Sequence, residues 1–195
     1  MKNIQIPNSF DEYVRLQRGL SIEEAIKTAK YDLSCILKIK PEGKSIIDVG
    51  CGLGLMMAHL DDQFKYIHLL DKTDFEEEKK MHGYGPIENF GFYNDLEFAR
   101  QLVEENTNAN VRAFSPENMP HYKYDVIISF YSWGFHYPVG VYIDWALGAL
   151  KKDGAIILTV RDRIVDLVMS QFSDKDKVCT VLESRRASDL VCIHG

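Results

Sequence analysis

No run of the sequence approaches the roughly 18 consecutive apolar residues that a bilayer-spanning helix needs. The opening MKNIQIPNSFDEY also lacks the apolar centre of a secretory leader. These absences lead us to expect a soluble, cytoplasmic chain with no membrane partner. Cysteine is scarce: Cys35, Cys51, Cys179 and Cys192 form no close pair and no regular framework, so reduced thiols are expected instead of a disulfide scaffold. The histidines, His59, His68, His82, His121, His136 and His194, are dispersed with no acidic cluster around them, and no metal site is expected. Basic clusters are missing as well. With 23 Lys and Arg against 29 Asp and Glu, the net charge of -6 leaves nothing to neutralise a long run of phosphates. An extended nucleic-acid partner is therefore disfavoured and a small-molecule substrate expected; the oligomeric state has no signal in the pattern. What is there is ordinary globular composition, 46% hydrophobic and 27% charged. At 195 residues it suits one domain over residues 1–195.

Two helix starts come first, making residues 1–40 a helical segment. Ser9 with Glu12 and Ser21 with Glu24 have capping-box spacing. Ile22, Ile26, Ala29, Leu33 and Leu37 then line one helix face. From Ser45 the pattern becomes short apolar runs alternating with amphipathic helices. The runs are Ser45–Val49, Tyr66–Leu70, Val111–Phe114, Asp125–Phe130 and Ala155–Val160. Helices are expected over Leu55–Asp62, Asp95–Glu105 (with Asn94 and Glu97 as capping box), Val141–Lys151 and Ile164–Phe172. Lys151 and Lys152 would fill the last turn of the third, with Gly154 as its cap. Strands buried on both faces in this rhythm make a mostly parallel sheet with helices on both sides. Lys177–Glu183 and Asp189–His194 are joined too tightly for a crossover helix, so the last pair should be antiparallel. The connection Asp74–Tyr93 fits no unit; its length and aromatic content suggest a lid or substrate loop, with packing on the domain edge as the alternative.

The strongest local signal is Ile46-Ile47-Asp48-Val49-Gly50-Cys51-Gly52-Leu53-Gly54, a buried strand running through three alternate glycines into a helix. Glycine permits the tight turn and a close ligand approach, and the helix start offers amide donors, so a nucleotide-like ligand is expected. A dinucleotide fingerprint would need glycine at position 55, which is Leu55, and no Lys-Ser/Thr follows to make a Walker A loop. The second apolar run ends in Asp71, where a carboxylate can accept two ribose hydroxyls; a simple helix cap is the plainer role.

DVGCGLG at 48–54 resembles motif I of class I S-adenosylmethionine-dependent methyltransferases, and Asp71 resembles their acidic residue after the second strand. The likeness continues through Ser115-Pro116-Glu117-Asn118-Met119-Pro120, Tyr124–Ser129 and Leu150–Ala155, and covers roughly residues 45–195. It implies a Rossmann-like seven-stranded sheet and S-adenosylmethionine as cofactor. Carried over, the amino-acid half of the cofactor falls to Asp48, Gly50, Cys51, Gly52 and Gly54 with Ser129 nearby. The ribose falls to Asp71 and Lys72, and the adenine to Phe114, Ser115 and Pro116. Ser115 stands where the family often has aspartate, which weakens that one contact.

Acceptor-side candidates follow the fourth apolar run, where ligands of open parallel sheets bind. Tyr131, Trp133 and Tyr137 lie in the aromatic stretch SFYSWGFHYP, whose SWGFHYP part is similar to a run in certain sugar O-methyltransferases, and an indole can cover a sugar's apolar face. His136 in the same stretch is the candidate general base for a hydroxyl acceptor, with packing among the aromatics as its alternative. Asp162 between Arg161 and Arg163 is a further candidate for touching substrate, or else part of a surface salt bridge. The expected activity is methylation of a hydroxyl on a small polar or carbohydrate-like molecule; an N-methyltransferase and a non-catalytic cofactor-binding domain are the alternatives.

Overall fold

The structure is a computed structural model that describes residues 4–7, 21–40, 42–72, 81–82, 85–86, 95–185 and 187–194. The expected first helix at Ser9 and most of the Asp74–Tyr93 connection lie outside the described residues. Strands are β1 (Gly43–Val49), β2 (Phe64–Leu70), the short pair β3 (Met81–His82) and β4 (Gly85–Pro86), β5 (Asn110–Phe114), β6 (Tyr124–Ser129), β7 (Leu150–Arg161), β8 (Val178–Arg185) and β9 (Ser188–His194). Helices are α1 (Ile22–Ile39), α2 (Leu55–Ala58), α3 (Leu96–Asn106), α4 (Ile143–Ala149) and α5 (Val165–Ser173). Seven strands form one sheet in the order β5-β2-β1-β6-β7-β9-β8, while β3 and β4 form a separate pair. All pairings of the seven-stranded sheet are parallel except those of β9, which runs antiparallel to both neighbours. The expected Rossmann-like architecture is therefore present.

Successive strand residues feed opposite faces, as a doubly covered sheet requires. Ile46, Ile67 and Ile128 face a core built with α1, α2 and α3; Ile47, Ile127 and Ile156 face a second core closed by α4 and α5. These side chains are fully buried, each stabilising the fold by about 1.5–3 kcal/mol relative to exposure. Among the described residues no helix is long and apolar enough to cross a membrane.

Local signals hold in part. Ser21 and Glu24 make the reciprocal capping box at the start of α1. The cap of α3 is Asp95, whose carboxylate accepts the Phe98 amide at 2.9 Å, in place of the expected Asn94. The helix expected over Val141–Lys151 stops at Ala149, and Leu150 already pairs with Tyr124 in β7. The register then jumps from Tyr124–Leu150 to Val126–Ala155, so the intervening residues bulge. Gly154 closes this bulge: a Cβ there would lie 2.8 Å from Leu150 Cδ1 and 3.0 Å from the Asp125 carbonyl. Lys151 accordingly serves no helix end; its Nζ donates to Asp125 Oδ2 at 2.7 Å.

One connection departs from the helical rhythm. Between β5 and β6 the chain makes only a 3-10 turn, Pro116–Asn118, before crossing β2 and β1 without regular structure. No helix of this connection covers the second face of β2 and β5.

Candidate active site

The carboxyl ends of β1, β2, β5, β6 and β7 meet at one edge, and the candidate residues follow them. Gly50, Gly52 and Gly54 have φ of 77°, 55° and 70°, in the left-handed region that favours glycine. A Cβ on Gly50 would lie 1.9 Å from Ser132 Oγ and 2.2 Å from Ser132 Cβ. On Gly54 it would come within 3.0 Å of the Ala99 carbonyl in α3. Two of the glycines thus lock the loop to its neighbours. Ser132 was not singled out in the sequence, because nothing local shows that its side chain fills Gly50's missing one.

Asp71 supports the loop directly. Its Oδ2 accepts the Gly52 amide at 2.8 Å and its Oδ1 accepts the Lys72 amide at 2.8 Å. Carboxylate oxygens are the acceptors that ligand hydroxyls require. Asp48 is buried beside the same loop. Burial pushes the Cys51 thiol well above its ordinary range, and the charges of Asp71 and Asp48 push it the same way. Tyr137 is raised by burial and then by Asp71; Tyr142 is raised by burial and by Tyr137, Asp71 and Glu117. Asp48 and Asp71 thus act on a neutral thiol and neutral phenols beside the glycine turn, a field that favours a bound cation.

Phe114, Ser115 and Pro116 follow β5, and Asp71 is tied to them through its amide, which donates to the Phe114 carbonyl at 3.2 Å. Glu117 is held below the ordinary carboxylate range first by its own backbone amide, then by the Ser115 hydroxyl, with Lys72 adding to the effect. The Ser115 oxygen can still accept a bond from a ligand amino group.

Ser129 and Trp133 need correction. Ser129 is fully buried; its hydroxyl donates to the Val49 carbonyl at 2.7 Å and accepts the Trp133 amide at 2.8 Å. It ties β1 to the loop after β6 and presents no surface to a ligand. Trp133 is fully buried too, its indole N–H donating to the Val139 carbonyl at 2.8 Å and its ring packed edge-on against Tyr142 and Phe172. It is core, because α4 and α5 close over this loop, and so it is no substrate wall.

The other acceptor-side candidates occupy different positions around the edge. Tyr131 has φ 57° and accepts a bond from Arg185 at 3.0 Å, pointing towards the Arg185–Asp32 ion pair. Its ring meets Phe135 edge-on at 5.4 Å. His136 is half-buried, with its ring 5.0 Å from Phe135 and its amide donating to the Ser132 carbonyl at 2.6 Å. Tyr137 is within electrostatic reach of Asp71, which sets it on the side of the expected ribose. Asp162 is exposed just past β7 and accepts its neighbour Arg163's amide at 2.7 Å; Arg161 instead stacks on Phe135 at 4.4 Å.

Comparison with known proteins agrees with this geometry. The family model described as Methyltransferase domain (Methyltransf_23) matches residues 22–183. A curated relative, N-methyltransferase 4 of Papaver somniferum, is 32% identical over 63 residues; the match spans 32% of this chain and only 17% of that protein. Among solved structures, a methyltransferase from Pyrococcus furiosus superposes with a TM-score of 0.58 at 17% identity, covering 85% of this chain and 81% of its own. Precorrin-6y C5,15-methyltransferase from Geobacter metallireducens gives 0.58 at 16% identity, covering 98% of both chains. Magnesium protoporphyrin IX methyltransferase from Synechocystis, solved with SAM bound, gives 0.58 at 14%, covering 98% of this chain and 86% of its own. At these identities the solved structures establish a common fold.

Proposed function

The chain belongs to the methyltransferase-domain family, whose methyl donor is S-adenosylmethionine, and from that premise we propose that its acceptor is a hydroxyl of a small polar or carbohydrate-like molecule. The observation that carries the reading is the interlock of Ser132 with Gly50, which holds the loop bearing Tyr131, Phe135, His136 and Tyr137 against the glycine turn. The site suits the cofactor: Asp71 offers two carboxylate oxygens for ribose hydroxyls, Asp48 and Asp71 supply the negative field a sulfonium favours, and Ser115 can meet an adenine amino group. When bound, S-adenosylmethionine supplies an electrophilic methyl group on its sulfonium.

What remains for the protein is orientation and one proton. Phe135 and Tyr131 give the acceptor apolar faces, and alignment alone can supply much of the rate. His136, as general base, takes the hydroxyl proton during attack, a contribution of about 10²–10⁴-fold. Lys72 beside Asp71 and Gly52, Gly54 and Cys51 in the turn complete the proposed cofactor contacts, with Tyr137 and Asp162 flanking the acceptor. A nitrogen acceptor is a second reading, favoured by the partial likeness to a plant N-methyltransferase. The test is incubation with methyl-labelled S-adenosylmethionine and pools of sugars, polyols, phenols and amines. Mass spectrometry should find the label on oxygen; label confined to nitrogen would replace this reading with the second.

A further inference from the structure

Away from the glycine loop, the second face of the sheet holds a cavity of about 410 Å³, within the size range of small-ligand clefts. It exists because the β5–β6 connection crosses the sheet without a helix, so that among the described residues no helix covers β2 and β5 towards their amino ends. Its lining inverts the charge of the molecule. The chain carries a net charge of -6, yet Lys44, Arg112, Lys123 and Lys151 all border this one hollow. Lys151 is neutralised by Asp125 at 2.7 Å, and Lys123 Nζ donates to the Gly148 carbonyl, with no carboxylate partner among the described residues. The ammonium of Lys44 has no partner among the described residues.

The rest of the lining is aromatic. Tyr122 is 43% exposed, with the Arg112 guanidinium donating to its hydroxyl and lying 5.7 Å from its ring centre. Tyr66 stands on the neighbouring strand, with Lys65 Nζ 5.5 Å from its ring. Between them, at the floor, His68 is 2% exposed and packs edge-on against Tyr122 at 4.8 Å. Its Nδ1 is engaged with the Tyr124 hydroxyl at 2.7 Å, so Nε2 is the ring nitrogen left to meet a ligand. Burial, helped by Arg112, lowers this histidine to about 4, so the floor is neutral and polar under the cationic rim.

We propose that this cavity is a second binding site, for a small anion with a planar base, of the nucleoside monophosphate class. The phosphate would meet Lys44, Lys123 and Arg112, whose guanidinium suits phosphate geometry. The base would lie on the tyrosine faces, as bases do on aromatic platforms.

The probe is uridine 5′-monophosphate, titrated into the full chain while S-adenosylhomocysteine saturates the cofactor edge. Saturable binding is expected, at least about tenfold weaker for uridine and weakened severalfold when salt is raised to screen the rim charges. Lys44→Glu should weaken it by about tenfold or more, while the thermal midpoint and S-adenosylhomocysteine affinity stay at parent values. Tyr122→Ala should weaken the nucleotide but not inorganic phosphate. Absence of saturable binding at millimolar nucleotide overturns the proposal. So does equal affinity for uridine, or affinity unchanged in Lys44→Glu. Binding of an acidic peptide without the nucleotide would also overturn it and make the face a protein-docking surface.

Discussion

Replacing Gly50 by alanine should destabilise the fold from two separable sources. The first is backbone conformation: at φ 77°, a side chain meets the left-handed penalty of about 1–2 kcal/mol. The second is overlap with Ser132. Rotating that hydroxyl away gives no relief, because Ser132 Cβ itself would stand 2.2 Å from the new methyl. Backbone must shift, at about 1–3 kcal/mol for an overpacked site. The sum, about 2–5 kcal/mol, is a large share of the 5–15 kcal/mol typical of a domain. Equilibrium urea unfolding measures it, provided the denaturant slope matches the parent's. The double variant Gly50→Ala, Ser132→Gly should recover the overlap share and keep the conformational one. A single variant within about 0.5 kcal/mol of the parent would refute the interlock. A double variant no more stable than the single would refute it equally.

His136→Asn, folded and still binding cofactor, should lose at least about 100-fold in kcat together with the acid limb of its pH profile; turnover within a few-fold and an intact profile would exclude the base role. Asp32→Ala should cost about 1.5–3 kcal/mol, because Arg185 loses its 2.8 Å carboxylate partner and keeps Glu183 at 3.5 Å, and calorimetric melting would read the loss. Stability should fall as pH drops from about 6.5 to about 4, because the unfolded chain binds a proton at His68 that the native chain refuses. The full effect is on the order of 3 kcal/mol, and it should flatten in His68→Gln when urea midpoints are followed with pH.

The strands and the glycine turn were legible because burial on both faces writes itself as unbroken apolar runs such as Ala155–Leu158, and because a left-handed turn selects glycine locally. The Ser21–Glu24 box was legible for the same reason: both partners lie within one turn. What escaped depends on distant partners. Leu150 leaves its helix because Tyr124 offers a strand pairing, and Gly154 is fixed by the bulge that follows. Ser129 and Trp133 have side chains suited to a site, but the closure of α4 and α5 over their loop commits them to the core. The Arg185–Asp32 pair joins residues far apart in sequence, and no local pattern announces it. The cavity over β2 and β5 arises from a helix the β5–β6 connection does not make, which the composition of residues 115–123 does not signal.

The central claim, a loop and carboxylate built for S-adenosylmethionine, is tested most directly by titration calorimetry of the parent and Asp71→Ala chains against that ligand and NAD. The parent should bind S-adenosylmethionine saturably, one to one, and in preference to NAD. Asp71→Ala should lose about 1.5–3 kcal/mol of that affinity, roughly 10- to 150-fold, since its carboxylate both receives ligand hydroxyls and holds Gly52 in place. Preference for NAD, or undiminished affinity in Asp71→Ala, would contradict the account.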